Sequence, residues 1–293
     1  MDLPATTQML KSTKILHLEP TTDCNAACPQ CPRTYTPFIS AELSLDRVKE
    51  IFAVDFIQQL DKMFMCGNLG DPAAAKDTIG IFRYFREINP KIILGMNTNG
   101  GLRNVRWWEE LATVLNQPKD YVVFSIDGLA DTNHIYRINV NWQQVIKNTK
   151  AFIKAGGSAH WDMLVFRHNE HQVDAAQQMS KDMKFKWFRA KVSKRHQTYP
   201  INFLNLPTNW KDPVVTQGEI TCQALKEQSV YVDARGRWYP CCWLGQSRFT
   251  LDQFDSIKSN WLTKDRNPIC VQTCSSKGQG TSFTNQWQRE IQL

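Results

Sequence analysis

The chain has 293 residues, 42% hydrophobic and 22% charged, with a formal net charge of +7. That composition belongs to a folded globule with room for one large domain, or a barrel with a small appendage, and it excludes a disordered chain. Lys and Arg are interleaved with acidic residues, so the charge does not call for nucleic acid, and no stretch approaches the roughly 20 apolar residues of a membrane span.

Residues 1–14 are polar and lack the apolar core of a signal peptide, which points to the cytoplasm, where thiols stay reduced. Nine cysteines are many for that compartment, and eight of them fall into two clusters. Clustered cytosolic cysteines hold metal more often than they form disulfides.

From residue 15 onward, short β-branched or apolar runs alternate with amphipathic segments. Strands are expected at Ile15–Glu19, Lys62–Cys66, Ile92–Asn97, Tyr121–Ile126, Trp161–Phe166 and Lys184–Arg189. Leu45, Val48, Phe52, Phe56 and Leu60 keep helical spacing between the first two. Trp142, Val145, Ile146, Thr149 and Ile153 do the same after the fourth, with Asn141 and Gln144 spaced as a capping box. Val173, Ala176, Ser180 and Met183 mark a further helix, with Asn169 and Gln172 in its capping positions. Six strand–helix units imply a parallel sheet with right-handed crossovers and are too few for a closed eight-stranded barrel, so an α/β partial (β/α)6 barrel is expected over 15–190. A Pro- and Asn-rich linker covers 191–218. In 219–293 the texture changes to a hairpin (Ser229–Asp233 and Arg237–Cys241, turning at Ala234–Gly236) followed by a short helix near Leu251–Leu262.

Ligands in such folds bind at the carboxyl ends of the strands. Here those ends carry Cys24, Cys28 and Cys31; then Gly67, Asn68, Gly70 and Asp71; then Asn97 and Asn99; then Ser125 and Asp127; and finally Arg167-His168-Asn169. Thiolates are soft ligands suited to zinc or iron–sulfur clusters. Three in one loop can hold three irons of a cubane and leave the fourth open, whereas zinc would want a fourth Cys or His nearby.

The C-x3-C-x2-C motif at the end of the first strand, with the later strand ends in order, resembles the radical S-adenosylmethionine (SAM) superfamily over roughly residues 15–190. The resemblance implies a SAM-binding [4Fe–4S] cluster on Cys24, Cys28 and Cys31. It implies receipt of the methionine amino group by the Gly67–Pro72 segment and ribose contacts from Asn97 and Asn99. By the same resemblance Ser125 and Asp127 match the fourth-strand segment, Arg137 would meet the methionine carboxylate, and Val165 and Phe166 would lie near adenine. Two positions depart from the pattern: Gln30 stands where an aromatic residue usually precedes the third cysteine, and Asp71 replaces Glu. The second cluster, Cys222, Cys241, Cys270 and Cys274, resembles the SPASM or twitch extension and implies one auxiliary [4Fe–4S] cluster. Four thiolates would equally suit structural zinc. Adjacent strand residues face opposite ways, so one of Cys241 and Cys242 should ligate, and the glycine spacing selects Cys241.

Cys66 reads as a small buried hydrophobe and the ten tryptophans as core. His168 and His171 are candidate acid–base groups with capping or surface roles as alternatives, and Asp127 and Asp233 are candidate bases. The resemblance implies hydrogen-atom abstraction from a peptide or protein side chain or a small molecule. A low-potential donor such as flavodoxin or ferredoxin would supply the electron. Only 14 residues precede the first strand, which leaves little place there for a peptide-recognition domain. The missing terminal Gly-Gly argues against a molybdenum-cofactor cyclase. A small-molecule dehydrogenase, a radical methyltransferase, and a non-enzymatic iron–sulfur or zinc protein are the alternatives.

Overall fold

The computed structural model describes residues 5–35, 37–193, 195, 201, 203–210, 218–246 and 249–275. Eight strands form one sheet: β1 (Ile15–Leu18), β2 (Lys62–Met65), β3 (Ile93–Thr98), β4 (Tyr121–Ser125), β5 (Ala159–Val165), β6 (Trp187–Val192), β7 (Ser229–Val232) and β8 (Trp238–Tyr239). Their order is β6-β5-β4-β3-β2-β1-β7-β8, every neighbouring pair parallel except β7 and β8. The expected partial barrel is therefore present. The C-terminal hairpin joins it directly, because β7 pairs with β1 from Ile15↔Ser229 to Leu18↔Val232. Gly236 makes the hairpin turn at φ +76, a conformation glycine adopts without a Cβ penalty.

Helix α1 (Ala5–Ser12) precedes β1, and the crossovers are helical: α2 (Pro32–Tyr35), α3 (Leu45–Ile51), α4 (Val54–Gln58), α5 (Thr78–Ile88), α6 (Val105–Val114), α7 (Asn133–Tyr136), α8 (Trp142–Lys154) and α9 (Val173–Asp182). The C-terminal segment adds α10 (Gln223–Lys226), α11 (Cys242–Gln246), α12 (Phe254–Ser259) and α13 (Pro268–Cys274). None of the described helices is long and apolar enough to cross a membrane. Asn141 caps α8 by accepting the Gln144 amide at 3.0 Å, but the reciprocal half of the capping box is absent. Gln144 donates instead to Asn148 Oδ1 at 2.7 Å. The expected single helix over Leu45–Leu60 is two, because Phe52 leaves helical geometry (φ −108, ψ 107) and buries its ring against Phe56, Phe85 and Trp238.

Strand alternation divides the side chains between two environments. Leu16, Leu18, Met63, Met65, Leu94, Met96, Val122, Phe124, Trp161 and Met163 face the helices and form the main core. On the other face, register brings His17 beside Phe64 and Gly95 beside Tyr121. Val123 lies beside His160, Ser125 beside Asp162, and Asp162 in turn beside Arg189. These residues line the concave lumen. Its floor is aromatic: His17 stacks on Phe64, and Tyr121 stacks on His160. A Cβ on Gly95 would lie 2.4 Å from the Tyr121 ring, so glycine is what lets that ring fill the floor.

Candidate SAM and iron–sulfur site

Above this floor, the loops after β1 to β5 converge on one rim. The β1 loop carries Cys24, Cys28 and Cys31. Its backbone is fixed by the Arg33 guanidinium on the Cys24 carbonyl and by Thr34 Oγ1 on the Cys28 carbonyl at 2.9 Å. Two side chains from other elements, Asn99 just after β3 and Arg137 at the end of the short helix Asn133–Tyr136, reach the sulfurs. Asn99 Nδ2 donates to Cys24 Sγ and Arg137 Nη1 to Cys28 Sγ, each at 3.6 Å. Burial pushes the Cys24 thiol up to about 12 and also raises Cys28. Such sulfurs become thiolates only against a cation, which a coordinated metal provides. The donor set thus fits a thiolate-bound cluster: three sulfurs in one loop, with N–H donors directed at two of them. Among the described residues, no group of three or more His, Cys or acidic side chains is gathered for a single metal ion.

The loop after β2 lies against this one. A Cβ on Gly67 would sit 1.8 Å from the Gly70 carbonyl oxygen, and one on Gly70 would sit 1.9 Å from that of Thr21. Both positions therefore demand glycine. Asp71 is buried, and its carboxylate accepts from Ala73 N at 2.9 Å, Asn99 N at 2.7 Å and Thr98 Oγ1 at 2.9 Å. It ties the β2 loop to the end of β3, while its own amide donates to the Asp23 carbonyl at 2.8 Å and ties that loop to the β1 loop. Burial raises its pKa. Asn68 is buried and gives Nδ2 to the Cys242 carbonyl at 3.1 Å.

On the β3 and β4 side, Asn99 Oδ1 accepts the Gly101 amide at 2.8 Å while Nδ2 also reaches Asn25 Oδ1 at 2.8 Å. Asn97 is half-buried within β3, opposite Val123, and Ser125 ends β4 opposite Asp162. Asp127 is fully buried. Its Oδ2 accepts from Arg137 Nε at 2.6 Å and its Oδ1 from Leu164 N at 2.6 Å. Burial pushes the Asp127 carboxyl up while Arg137 pulls it down. Asp127 is thus an anchor for Arg137 rather than a free base. Val165 ends β5, and Phe166 stacks between Tyr136 and His168.

Several sequence expectations change in structural detail. Asp233 organises the hairpin turn, accepting from Arg235 N, Arg237 N, the Arg237 guanidinium and Tyr239 Oη. Gln172 occupies the N-cap position of α9, but neither it nor Asn169 caps the helix with its side chain. Asn169 Nδ2 bonds the carbonyls of Asp127 and Leu164, and Gln172 Oε1 accepts from Leu129 N. His168 lies against Phe166, and burial lowers its pKa. Cys66 faces the lumen within electrostatic reach of Glu19 and Cys242 instead of joining the main core. Gln30 is buried, its Oε1 accepting from Ser193 Oγ at 2.6 Å, so a polar tether to the end of β6 stands where an aromatic ring is usual.

Sequence reasoning missed the charged lumen. Asp162 accepts from Arg189 Nε at 2.7 Å and Lys191 Nζ at 2.6 Å. Burial raises its pKa, but the two cations outweigh that and hold it at about 2. Glu19, at the top of β1, is 1% exposed. The available signal was parity: His17 and Glu19 alternate with Leu16 and Leu18, as Asp162 does with Trp161 and Met163.

In the C-terminal segment, Cys222 precedes α10 and receives backbone hydrogen bonds from Leu225 and Ala224, with Cys274 and Cys270 in electrostatic reach. Cys241 precedes α11, takes bonds from Leu244 and Trp243, and neighbours Cys222. Burial raises Cys222 to about 11 and also raises Cys241 and Cys270. The Thr221 amide bonds the Cys274 carbonyl at 2.9 Å, joining the two ends of this group. Cys242 turns instead toward Glu19 and Arg195. Residues 276–293, the remainder of the expected extension, lie outside the described residues, as do most of 196–217 of the linker.

The sequence model of the Radical SAM superfamily matches residues 18–178, more than half of the chain. The chain belongs to the radical SAM superfamily. Its fold is similar to that of SuiB from Streptococcus suis bound to S-adenosylmethionine, with a TM-score of 0.58 and 16% identity over 85% of this chain and 68% of that one. It is equally similar to anSMEcpe with bound AdoMet and Kp18Cys peptide, with a TM-score of 0.59 and 16% identity over 92% of each chain. SuiB bound to its precursor peptide SuiA gives 0.56 and 16% over 89% and 68%. No curated protein matches the chain. At these identities the structural likeness speaks for the fold, and membership of this superfamily implies a [4Fe–4S] cluster and SAM.

Proposed function

We propose that this radical SAM protein cleaves SAM reductively and abstracts a hydrogen atom from a peptide or protein side chain. The observation carrying the reading is the rim itself: three cysteines in the β1 loop, with Asn99 and Arg137 donating to two of their sulfurs at 3.6 Å. When bound, the cluster supplies the electron that splits SAM into methionine and a 5′-deoxyadenosyl radical. Cys24, Cys28 and Cys31 are the proposed ligands. The backbone of Gly67–Asp71 receives the amino group, and Arg137, oriented by Asp127, receives the carboxylate. Asn97, Asn99, Ser125 and Val165 line the ribose and adenine side. The buried aromatic floor keeps water from below the reacting centre.

Cys222, Cys241, Cys270 and Cys274 are the proposed ligands of an auxiliary [4Fe–4S] cluster that accepts an electron from, or binds, the substrate. Backbone N–H donors directed at Cys222 and Cys241 suit bound thiolates. Flavodoxin or ferredoxin is the proposed electron donor. A peptide substrate is favoured because fold relatives are seen with the precursor peptide SuiA and the Kp18Cys peptide. Anaerobic reconstitution followed by dithionite and SAM tests the reading. About eight irons per chain and release of 5′-deoxyadenosine are expected for two cubanes; bound zinc without cleavage would overturn it.

A further inference from the structure

Glu19 ends the β1 run with its carboxylate turned toward the β2 loop. Its Oε1 accepts from Leu69 N at 2.7 Å and Gly70 N at 3.2 Å. Its Oε2 accepts from the hydroxyl of Tyr231, which lies 212 positions along the chain on β7. The Asn68 side chain hydrogen-bonds the same Tyr231 hydroxyl, and Asn68 Nδ2 donates to the Cys242 carbonyl at 3.1 Å. Residues 68, 69 and 70 are thus all held by groups from β1, β7 or the start of α11. The loop has no slack on its far side, because Gly70 already packs on the Thr21 carbonyl. Nothing in the turn chemistry of the loop requires a buried carboxylate from another strand. A buried acid is costly unless its oxygens are hydrogen-bonded, and here both are satisfied by the loop and the hairpin.

We propose that Glu19 and Tyr231 are positioning residues that set the Gly67–Asp71 backbone for SAM and make SAM capture depend on the C-terminal hairpin. The inference rests on the reading that this loop receives SAM. Loss of the Tyr231 hydroxyl frees one side of Glu19 and lets the Leu69 and Gly70 amides shift, which weakens capture before it affects the fold. Because β7 leads through β8 to Cys241, an ordered hairpin and a competent SAM loop form together.

The test uses the reconstituted, dithionite-reduced full chain and follows the change that added SAM produces in the electron paramagnetic resonance spectrum of the cluster. Tyr231→Phe should need about ten-fold more SAM for half of the change, the order expected for one lost hydrogen bond to a charged group. Glu19→Ala should need more still. Glu19→Gln, which keeps an acceptor for the amides and a partner for Tyr231, should return to within about three-fold of wild type. Iron content should be unchanged in Tyr231→Phe, and hydrogen exchange at residues 66–72 should rise with the SAM requirement. If both Tyr231→Phe and Glu19→Ala respond to SAM as wild type does, or lose only thermal stability, the positioning role is wrong while the SAM reading stands. A wild-type protein with no spectral response overturns the SAM reading and the positioning role together.

Discussion

Replacing Arg137 by Met removes the cation from a carboxylate whose side chain has no exposed surface. Asp127 would keep the Leu164 amide at 2.6 Å but lose its 2.6 Å contact with Arg137 Nε. Breaking one partner of a buried pair costs about 3–5 kcal/mol, mostly the desolvation of the group left behind. Replacing Asp127 by Asn as well removes that stranded charge, so the double variant should recover about 2 kcal/mol or more relative to the sum of the singles. Urea unfolding of the four metal-free proteins measures this coupling. The pH dependence follows from the same pair. Burial raises Asp127 and Arg137 opposes it, so without Arg137 the folded-state pKa climbs further above the unfolded value. The folded variant then binds more protons than the unfolded chain, and its stability falls as pH rises from the unfolded carboxyl pKa toward the folded one. The penalty of Arg137→Met should therefore be larger at pH 8 than at pH 5. A coupling below about 0.5 kcal/mol, with a pH-independent penalty, would refute the idea that Asp127 exists to hold Arg137.

Asp162→Asn should destabilise the protein by about 2–3 kcal/mol at neutral pH, and the difference should vanish as pH falls. The Asp162 pKa is held at about 2, so its stabilisation is present above the unfolded carboxyl value and is lost as pH drops through about 2. Acid titration of both proteins by circular dichroism checks it. Gly70→Ala places a Cβ 1.9 Å from the Thr21 carbonyl and should abolish SAM binding in equilibrium dialysis. Gly80→Ala in α5 meets only Leu45 Cδ2 at 3.5 Å and should stabilise the fold by about 0.5–1 kcal/mol in thermal unfolding. Cys222→Ala should lower bound iron from about eight to about four per chain, by colorimetric assay, while SAM cleavage persists. Retention of all iron would remove Cys222 from the ligand set.

Most of the barrel was legible because its strands are apolar runs punctuated by polar loops, and the rim residues lie where each run ends. The sixth strand illustrates what local patterning misses. The run Lys184–Arg189 reads as a strand, but Lys184 adopts φ +67 and the Phe185 amide bonds the Ser180 carbonyl at 2.9 Å, ending α9. The strand starts only at Trp187. The reason is helix termination by a left-handed residue, here lysine where glycine is usual. The role of Glu19 was out of reach for a different reason. A carboxylate at the end of a strand names no partner, and its partner on β7 is fixed only when the hairpin pairs with β1. The Asp162–Arg189–Lys191 group likewise exists only once β5 and β6 are in register.

The three cysteines of the β1 loop are proposed to leave one iron open to SAM. Electron–nuclear double resonance of the reduced, reconstituted protein with SAM carrying a 15N-labelled amino group tests it most directly. Hyperfine coupling from that nitrogen to the cluster is expected, lost when Cys24, Cys28 or Cys31 is replaced by Ala. A cluster coordinated by protein at every iron, showing no nitrogen coupling at saturating SAM, would contradict it.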